Sequence, residues 1–178
     1  MLKLIVDFEA TCTDKNEFPR HEMEIIEIGA VLFDDNGGVS HYQNWVKPVK
    51  NPRLTSFCQE LTGITQDDVD WASGFEVVME HFLSWVRKNT KDEEYMFYSW
   101  GAFDKNIMGR QCVEYGIDAT DVLNQHANAK ELFAEKFNCK PMGVTSALKL
   151  KRLKFEGQHH RALDDAINIA KLVKLLEV

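Results

Sequence analysis

The sequence lacks an uninterrupted apolar segment long enough to cross a bilayer. Hydrophobic residues make up 44% of the chain, but charged residues interrupt them throughout. The first residues also lack the basic region, apolar stretch and small-residue cleavage site of a secretory leader. We therefore expect no membrane segment, no signal peptide and a cytoplasmic location.

Cysteine is scarce, and no two cysteines have the C-x-x-C spacing of a zinc site or redox motif. This distribution is typical of reduced thiols in an intracellular protein, and it argues against a disulfide framework or a zinc site. The four residues are Cys12, Cys58, Cys112 and Cys139.

An excess of positive charge is missing too, because the formal net charge is −7. Proteins that bind a nucleic-acid duplex usually carry a basic face. Basic residues nevertheless outnumber acidic ones after residue 139, and the segment "LKLKRLKF" concentrates Lys149, Lys151, Arg152 and Lys154. We interpret this segment, the basic patch, either as a phosphate-contacting surface or as a solvated helix face.

The length of 178 residues suits a single domain, which we expect to span residues 1–178. Apolar and β-branched runs predict strands at Leu2–Phe8, at Glu24–Phe33 and in "SHYQNWVKP". The turn signal "DDNGG" joins the second strand to the third, so these three strands should form an antiparallel meander.

Helices alternate with strands in the remainder of the chain, and helices end it. Strands are predicted in "EYMFYSW" and near Val122–His126. Helices are predicted in "PRLTSFCQELTG", after a Thr65–Asp68 cap, in "GFEVVMEHFLSWVRKN", "FDKNIMGRQCVEYGI" and "NAKELFAEKF", and around Val144–Lys151 and Arg161–Leu176. This order of elements indicates an α/β fold.

Two carboxylates, Asp7 and Glu9, stand at the end of the first predicted strand. Residues two apart on a strand point to the same side, so these side chains should lie together while Phe8 faces the core. Such a pair is stable at neutral pH when a cation lies between the carboxylates or when one of them binds a proton. The alternative is a polar strand end in solvent.

Further oxygen ligands for a hard cation could come from Asp104 and from "HHRALDD", which contains two histidines and the Asp164–Asp165 pair. Asp104 could instead cap its helix, and the histidines could line a loop. Together these carboxylates could hold two Mg²⁺ or Mn²⁺ ions roughly 3.5–4 Å apart, as in phosphodiester hydrolysis. A histidine with a pKa of about 6.5 could take the proton of the attacking water.

Five segments resemble, in order, the motifs of the DnaQ-like DEDDh 3′-to-5′ exonucleases: "DFEATC", "HEMEIIEIGAVLF", "NPRLTSFCQELTGITQDDVD", "SWGAFD" and "HHRALDDAINIA". They are most similar to the branch with the histone-mRNA 3′ exonuclease and the enhanced-RNAi ribonucleases. The resemblance implies a ribonuclease-H-like fold, a mixed five-stranded sheet flanked by helices. It also implies metal binding by Asp7, Glu9, Asp104 and Asp165, with His160 as general base.

The doublets in "HHRALDD" permit two registers, because His159–Asp164 and His160–Asp165 have the same spacing. Helical periodicity separates them. Asp165 shares a stripe with the apolar Ile169, Leu172 and Leu176, whereas Asp164 shares one with Arg161, Asn168 and Lys171. An inward-facing ligand favours Asp165, and the spacing then selects His160.

The expected function is a metal-dependent 3′-to-5′ exonuclease that releases 5′-mononucleotides from single-stranded ends. We expect RNA rather than DNA as the substrate, and this expectation rests on the branch resemblance alone. The substrate end is expected to contact Phe8, Ala10, Thr11, Leu61 and Ile64. Two alternatives stay open: a regulatory or nucleic-acid-binding protein that keeps the fold without the chemistry, and an enzyme restricted to very short oligonucleotides. No protein partner is inferred.

Overall fold

The computed structural model describes residues 1–91 and 93–176. Its centre is one five-stranded sheet with the strand order β3-β2-β1-β4-β5. The first three strands pair antiparallel, and β4 and β5 continue the sheet parallel to β1. The predicted mixed α/β sheet is therefore confirmed. The strands are β1 (Leu2–Ala10), β2 (Ile25–Phe33), β3 (Val39–Trp45), β4 (Tyr95–Ser99) and β5 (His126–Asn128).

Helices follow the meander in the predicted order, and a short 3-10 helix (Arg20–Glu22) precedes β2. Among the residues that the structure describes, no helix is both long and apolar enough to span a membrane. The α-helices are α1 (Ser56–Thr62), α2 (Gln66–Asp70), α3 (Phe75–Thr90), α4 (Phe103–Glu114), α5 (Thr120–Leu123), α6 (Ala129–Lys136), α7 (Val144–Leu150) and α8 (Ala162–Lys174).

One element differs from its prediction: the strand expected near Val122–His126 starts only at His126, and Val122 lies in α5. The Asp118 carboxylate accepts a hydrogen bond from the backbone N–H of Thr120 at 3.0 Å, which favours a turn and a helix start here. Val122 is buried in the core from this helix. The strand prediction was therefore wrong for Val122, whose backbone is helical.

The side chains of β1 alternate between two hydrophobic cores, one on each face of the sheet. Leu4, Val6 and Phe8 belong to the core beneath α3 and α4. Ile5 belongs to the opposite core, which α6, α7 and α8 cover. Asp7 and Glu9 continue the Ile5 side, so the two carboxylates emerge on the face of the sheet that α8 covers.

Helices α1 and α2 enclose a third, smaller cluster that contains Ile26, Leu54, Cys58, Ile64 and Val69. The predicted cap of α2 is confirmed, since Thr65 and Asp68 form a reciprocal capping box. Gly63 ends α1 with a φ of 69°, and a Cβ there would lie 2.5 Å from the Gln158 side-chain amide. The end of α1 therefore packs directly against the loop that precedes α8.

Candidate active site

Three carboxylates from opposite ends of the chain meet at the end of β1. One oxygen each of Asp7, Glu9 and Asp165 can be chosen so that all three lie within 4.8 Å of one another. Asp7 and Glu9 share one side of β1, and Asp165 lies in the first turn of α8, which packs over that side. The expected convergence of these three side chains is present in the structure.

Asp104 joins the cluster through the backbone of β1. Its Oδ1 accepts a hydrogen bond from the backbone N–H of Phe8 at 3.0 Å. Phe8 is the residue between Asp7 and Glu9. The N-cap position of α4 is Ala102, which makes no side-chain cap bond. Asp104 is buried, and its charge helps to raise the pKa values of Asp7 and Glu9, so its carboxylate belongs to the cluster.

The four carboxylates destabilise one another's charged forms. Burial and the neighbouring acids, Asp104 first, raise the pKa of Asp7 well above its usual range. Burial and then Asp165 raise the pKa of Glu9 to about 9. Burial also raises the pKa of Asp104 to about 6, although the Phe8 N–H and the Lys130 ammonium act in the opposite direction. Burial likewise raises the pKa of Asp165.

The donor set fits a hard divalent cation. Its members are oxygen ligands, held close together and partly desolvated, whose mutual repulsion a cation would relieve. Mg²⁺ and Mn²⁺ prefer such carboxylate sites, whereas soft metals prefer thiolates. The arrangement therefore has the chemistry of a divalent-metal site.

Both histidines of the doublet lie beside Asp165. Nε2 of His159 is 3.7 Å from Asp165 Oδ1, and the backbone N–H of His160 donates to Asp165 Oδ2 at 2.7 Å. His160 adopts a φ of 63°, a left-handed conformation that is uncommon for a non-glycine residue. Burial, and to a lesser extent His159, lower the pKa of His160 below 6.5, which favours its neutral, proton-accepting form.

Asp164, the aspartate of the alternative register, stabilises the loop that carries the histidines. Its Oδ2 accepts from the N–H of Gln158 at 2.7 Å, and the neighbouring Asn168 donates to the carbonyl oxygen of Glu156 at 2.8 Å. Asn168, which the periodicity places on the same polar stripe as Asp164, is fully buried. The loop at 156–160 folds back over this side of α8 and satisfies its polar groups.

Of the five predicted substrate contacts, only Leu61 has an exposed side chain. The side chains of Phe8, Ala10, Thr11 and Ile64 are buried. The Phe8 side chain packs between the sheet and α3 and α4, which corrects its assignment as an open contact of the substrate. Leu61 lies on α1, whose end at Gly63 contacts the loop that carries the histidines.

The basic patch divides into two kinds of residue. The Lys151 ammonium lies 3.6 Å from the centroid of the Phe137 ring, so this lysine packs on an aromatic face. Lys149, Arg152 and Lys154 are exposed. Only these three remain as candidate phosphate contacts.

Sequence reasoning missed one buried acid beside the cluster, Glu27 in β2. It is fully buried, and its charge helps to raise the pKa values of Asp7 and Glu9. The signal was available, because Glu27 is the one charged residue in "IIEIGAVLF", and a charge inside a buried strand requires a partner.

Comparison with known proteins places this geometry among nucleases. The family model RNase_T, described as exonuclease, matches residues 4–173. The chain is 34% identical over 182 residues to human ERI1 exoribonuclease 3, covering 97% of the chain and 52% of that protein. It is 30% identical over 188 residues to the 3′-5′ exonuclease Snipper of Drosophila melanogaster, covering 96% of the chain and 67% of Snipper.

A solved structure is similar over almost the whole chain. It is the nuclease domain of 3′hExo, a DEDDh family member, bound to rAMP, with a TM-score of 0.89 and 29% sequence identity. The alignment covers 99% of this chain and 92% of that one. The chain thus corresponds to a nuclease domain, and it spans about half the length of human ERI1 exoribonuclease 3.

Proposed function

The chain belongs to the RNase_T exonuclease family, in the DEDDh branch that contains the ERI1 exoribonucleases, and on this basis we propose that it is a metal-dependent 3′-to-5′ exonuclease acting on single-stranded RNA. The observation that carries the proposal is the convergence of Asp7, Glu9 and Asp165 within 4.8 Å, with Asp104 hydrogen-bonded between the first two. Residues 1–178 would act as one nuclease domain.

The four carboxylates are proposed to hold two divalent ions, Mg²⁺ or Mn²⁺. Bound there, the ions would supply charge stabilisation at the phosphate and a more acidic water. The pKa values of these acids are raised by burial and by one another, so the cluster has an electrostatic reason to bind cations. Asp104 keeps its position because the Phe8 N–H holds one of its oxygens.

His160 is proposed to accept the proton of the attacking water. Its lowered pKa keeps the imidazole neutral near pH 7. The bond from its own N–H to Asp165 fixes the backbone that carries the ring. His159 is more exposed and would have an accessory role, because its Nε2 is already 3.7 Å from Asp165.

RNA is favoured as the substrate because the similar human protein, ERI1 exoribonuclease 3, is named as an exoribonuclease. Leu61 is the proposed apolar contact of the terminal base, because its side chain is exposed on α1 beside the histidine loop. Lys149, Arg152 and Lys154 would contact the upstream phosphates of a longer strand.

The proposal is tested with end-labelled RNA and DNA, single- and double-stranded, in Mg²⁺, in Mn²⁺ and in excess chelator. We expect 5′-mononucleotides from the 3′ end of single-stranded RNA, at a rate above that for DNA. Chelation should abolish the activity, and either metal should restore it. Full activity in chelator would contradict the metal mechanism, and no cleavage under any condition would favour a binding protein with the same fold.

A further inference from the structure

Glu27 is held in place by N–H donors from two neighbouring elements. Its Oε2 accepts from the backbone N–H of Ala162 at 3.0 Å, and its Oε1 accepts from the Gln43 side-chain amide at 2.6 Å. The Arg161 guanidinium adds two longer contacts, at 3.4 and 3.5 Å. A single buried carboxylate of β2 therefore connects β3 with the first residue of α8.

The start of α8 lies unusually close to the same strand. A Cβ built on Gly29 would lie 2.1 Å from the backbone of both Ala162 and Leu163. Only glycine tolerates this approach, since any side chain would collide with the helix backbone. Glu27 and Gly29 together fix the distance between the first turn of α8 and the sheet, and the lateral position of this turn over the sheet.

Arg161 is held from a second side. Its guanidinium carbon lies 4.6 Å from the centroid of the Trp45 ring of β3, in addition to the contacts with Glu27. This arginine directly follows His160, and its carbonyl oxygen accepts from the N–H of Asp165 at 2.8 Å. Arg161 thus holds in place the short segment that connects His160 to Asp165.

We propose that Glu27 is a positioning residue for catalysis, an inference that rests on the proposed nuclease function. It fixes Arg161 and Ala162, and through them the His160 ring, without contacting the substrate. Among the described residues, the clusters of possible metal ligands do not include Glu27. Its acceptor oxygens are already occupied by N–H donors, which is the arrangement of a support for ligands.

The first test compares Glu27→Gln with Glu24→Gln by steady-state kinetics at saturating Mg²⁺. Glu24 is the matched control, because it is also buried and directly precedes β2. Its carboxylate accepts hydrogen bonds from the N–H groups of Val49 and Asn51, away from α8. We expect Glu27→Gln to lower kcat by about 10- to 100-fold with little change in KM. Equal effects of both variants on kcat would overturn the proposal.

A double-mutant cycle shows whether Glu27 acts through His160. In a His160→Ala background, Glu27→Gln should lower kcat much less than it does in the wild-type chain, because the ring that it positions is gone. The same factor in both backgrounds would overturn the proposal. A more than tenfold weaker Mg²⁺ affinity that persists in the His160→Ala background would overturn it too, by making Glu27 a ligand.

Arg161→Met keeps the experiment decisive if Glu27→Gln does not fold. It removes the cation but keeps the bond from Ala162, so kcat should fall several-fold, and an unchanged kcat would overturn the proposal. Amide hydrogen exchange supplies a readout without substrate: the Ala162 N–H should lose protection in Glu27→Gln and keep it in Glu24→Gln. Retained protection would also contradict the proposal. If protection changes as expected while the wild-type chain cleaves nothing, the proposed function fails separately.

Discussion

Glu9 and Glu27 lie directly opposite each other across the β1–β2 pair, on the same face of the sheet. Directly opposed like charges destabilise a sheet, so the two residues need different partners. Glu27 has Arg161 and the N–H of Ala162. Glu9 faces Asp7 and Asp165 instead. The sheet therefore carries one acid paired with a cation beside one that requires a proton or a metal ion.

The free energy of unfolding of the metal-free chain should fall as the pH rises. The pKa of Glu9 is raised from its ordinary value of 4.5 to about 9, so the folded state holds a proton that the unfolded state releases. Stability is therefore lost between these two values, by roughly 1.4 kcal/mol for each pH unit. Urea unfolding in chelator, at about pH 5.5, 7 and 8.5, measures the trend.

Addition of Mg²⁺ should stabilise the chain more at the upper end of this pH range, because the ion binds the ionised carboxylates. Glu9→Gln is the control, since it removes one titrating group of the cluster and should make the pH dependence in chelator less steep. A wild-type chain whose metal-free stability rises across the same range would show that Glu9 is not the group described.

Asp104→Asn and Asp104→Ala should separate catalysis from stability. Both remove a proposed metal ligand, so each should lower kcat by several orders of magnitude. Only the alanine variant leaves the buried Phe8 N–H without an acceptor, and it should be less stable than the asparagine variant by about 1–3 kcal/mol. Thermal unfolding of both variants in chelator provides the comparison. Equal Tm values would mean that the bond to Phe8 contributes nothing to stability.

The two registers of the histidine and aspartate doublets predict opposite rankings. His160→Ala should lower kcat by about 10²- to 10⁴-fold, the usual loss of a general base. His159→Ala should have a much smaller effect on kcat. Single-turnover cleavage of end-labelled RNA at saturating Mg²⁺ gives the two rates, and a larger loss with His159→Ala would reverse the assignment.

The aspartates provide an independent measurement of the same register. Asp165→Asn should lower kcat by orders of magnitude, because it removes a proposed metal ligand. Asp164→Asn keeps an oxygen that can still accept from the Gln158 N–H, so its effect should be small. Mg²⁺ affinity measured by calorimetry should weaken in the first variant and not in the second. The reverse pattern would place the metal site on Asp164.

The basic patch should contribute to the affinity for long strands. If Lys149, Arg152 and Lys154 contact phosphates, changing all three to glutamine should reduce the salt dependence of Kd by roughly 0.7 per lost contact. Binding of a long oligonucleotide should weaken more than binding of a dinucleotide. Lys151→Gln is the matched control, because this lysine packs on Phe137 and should affect stability alone. Equal weakening of both lengths would exclude phosphate contacts.

Local patterns were sufficient to predict much of the site. Strand alternation placed Asp7 and Glu9 on one side of β1, and helical periodicity turned Asp165 inward. These rules depend only on the geometry of one element. The bond between Asp104 and the Phe8 N–H could not be predicted in this way, because it joins residues 96 positions apart.

The periodicity of one element does not predict the contacts that a distant segment makes with it. Asn168 lies on the polar stripe of α8, and periodicity alone gives such a side chain to solvent. The loop at 156–160 covers it and satisfies its amide instead. Phe8 shows the opposite case, since strand alternation already placed its side chain in the core, and its assignment as a substrate contact contradicted that pattern.

The bond between Glu27 and Ala162 spans 135 residues, and this separation has a consequence for synthesis on the ribosome. The strands that carry Asp7, Glu9 and Glu27 emerge from the ribosome before α8 does. A nascent chain that stops before Ala162 contains three of the four carboxylates, but it lacks the helix that covers them and leaves Glu27 on an open sheet face. Such an unfinished chain cannot assemble the site, so any cleavage must wait until translation has passed α8.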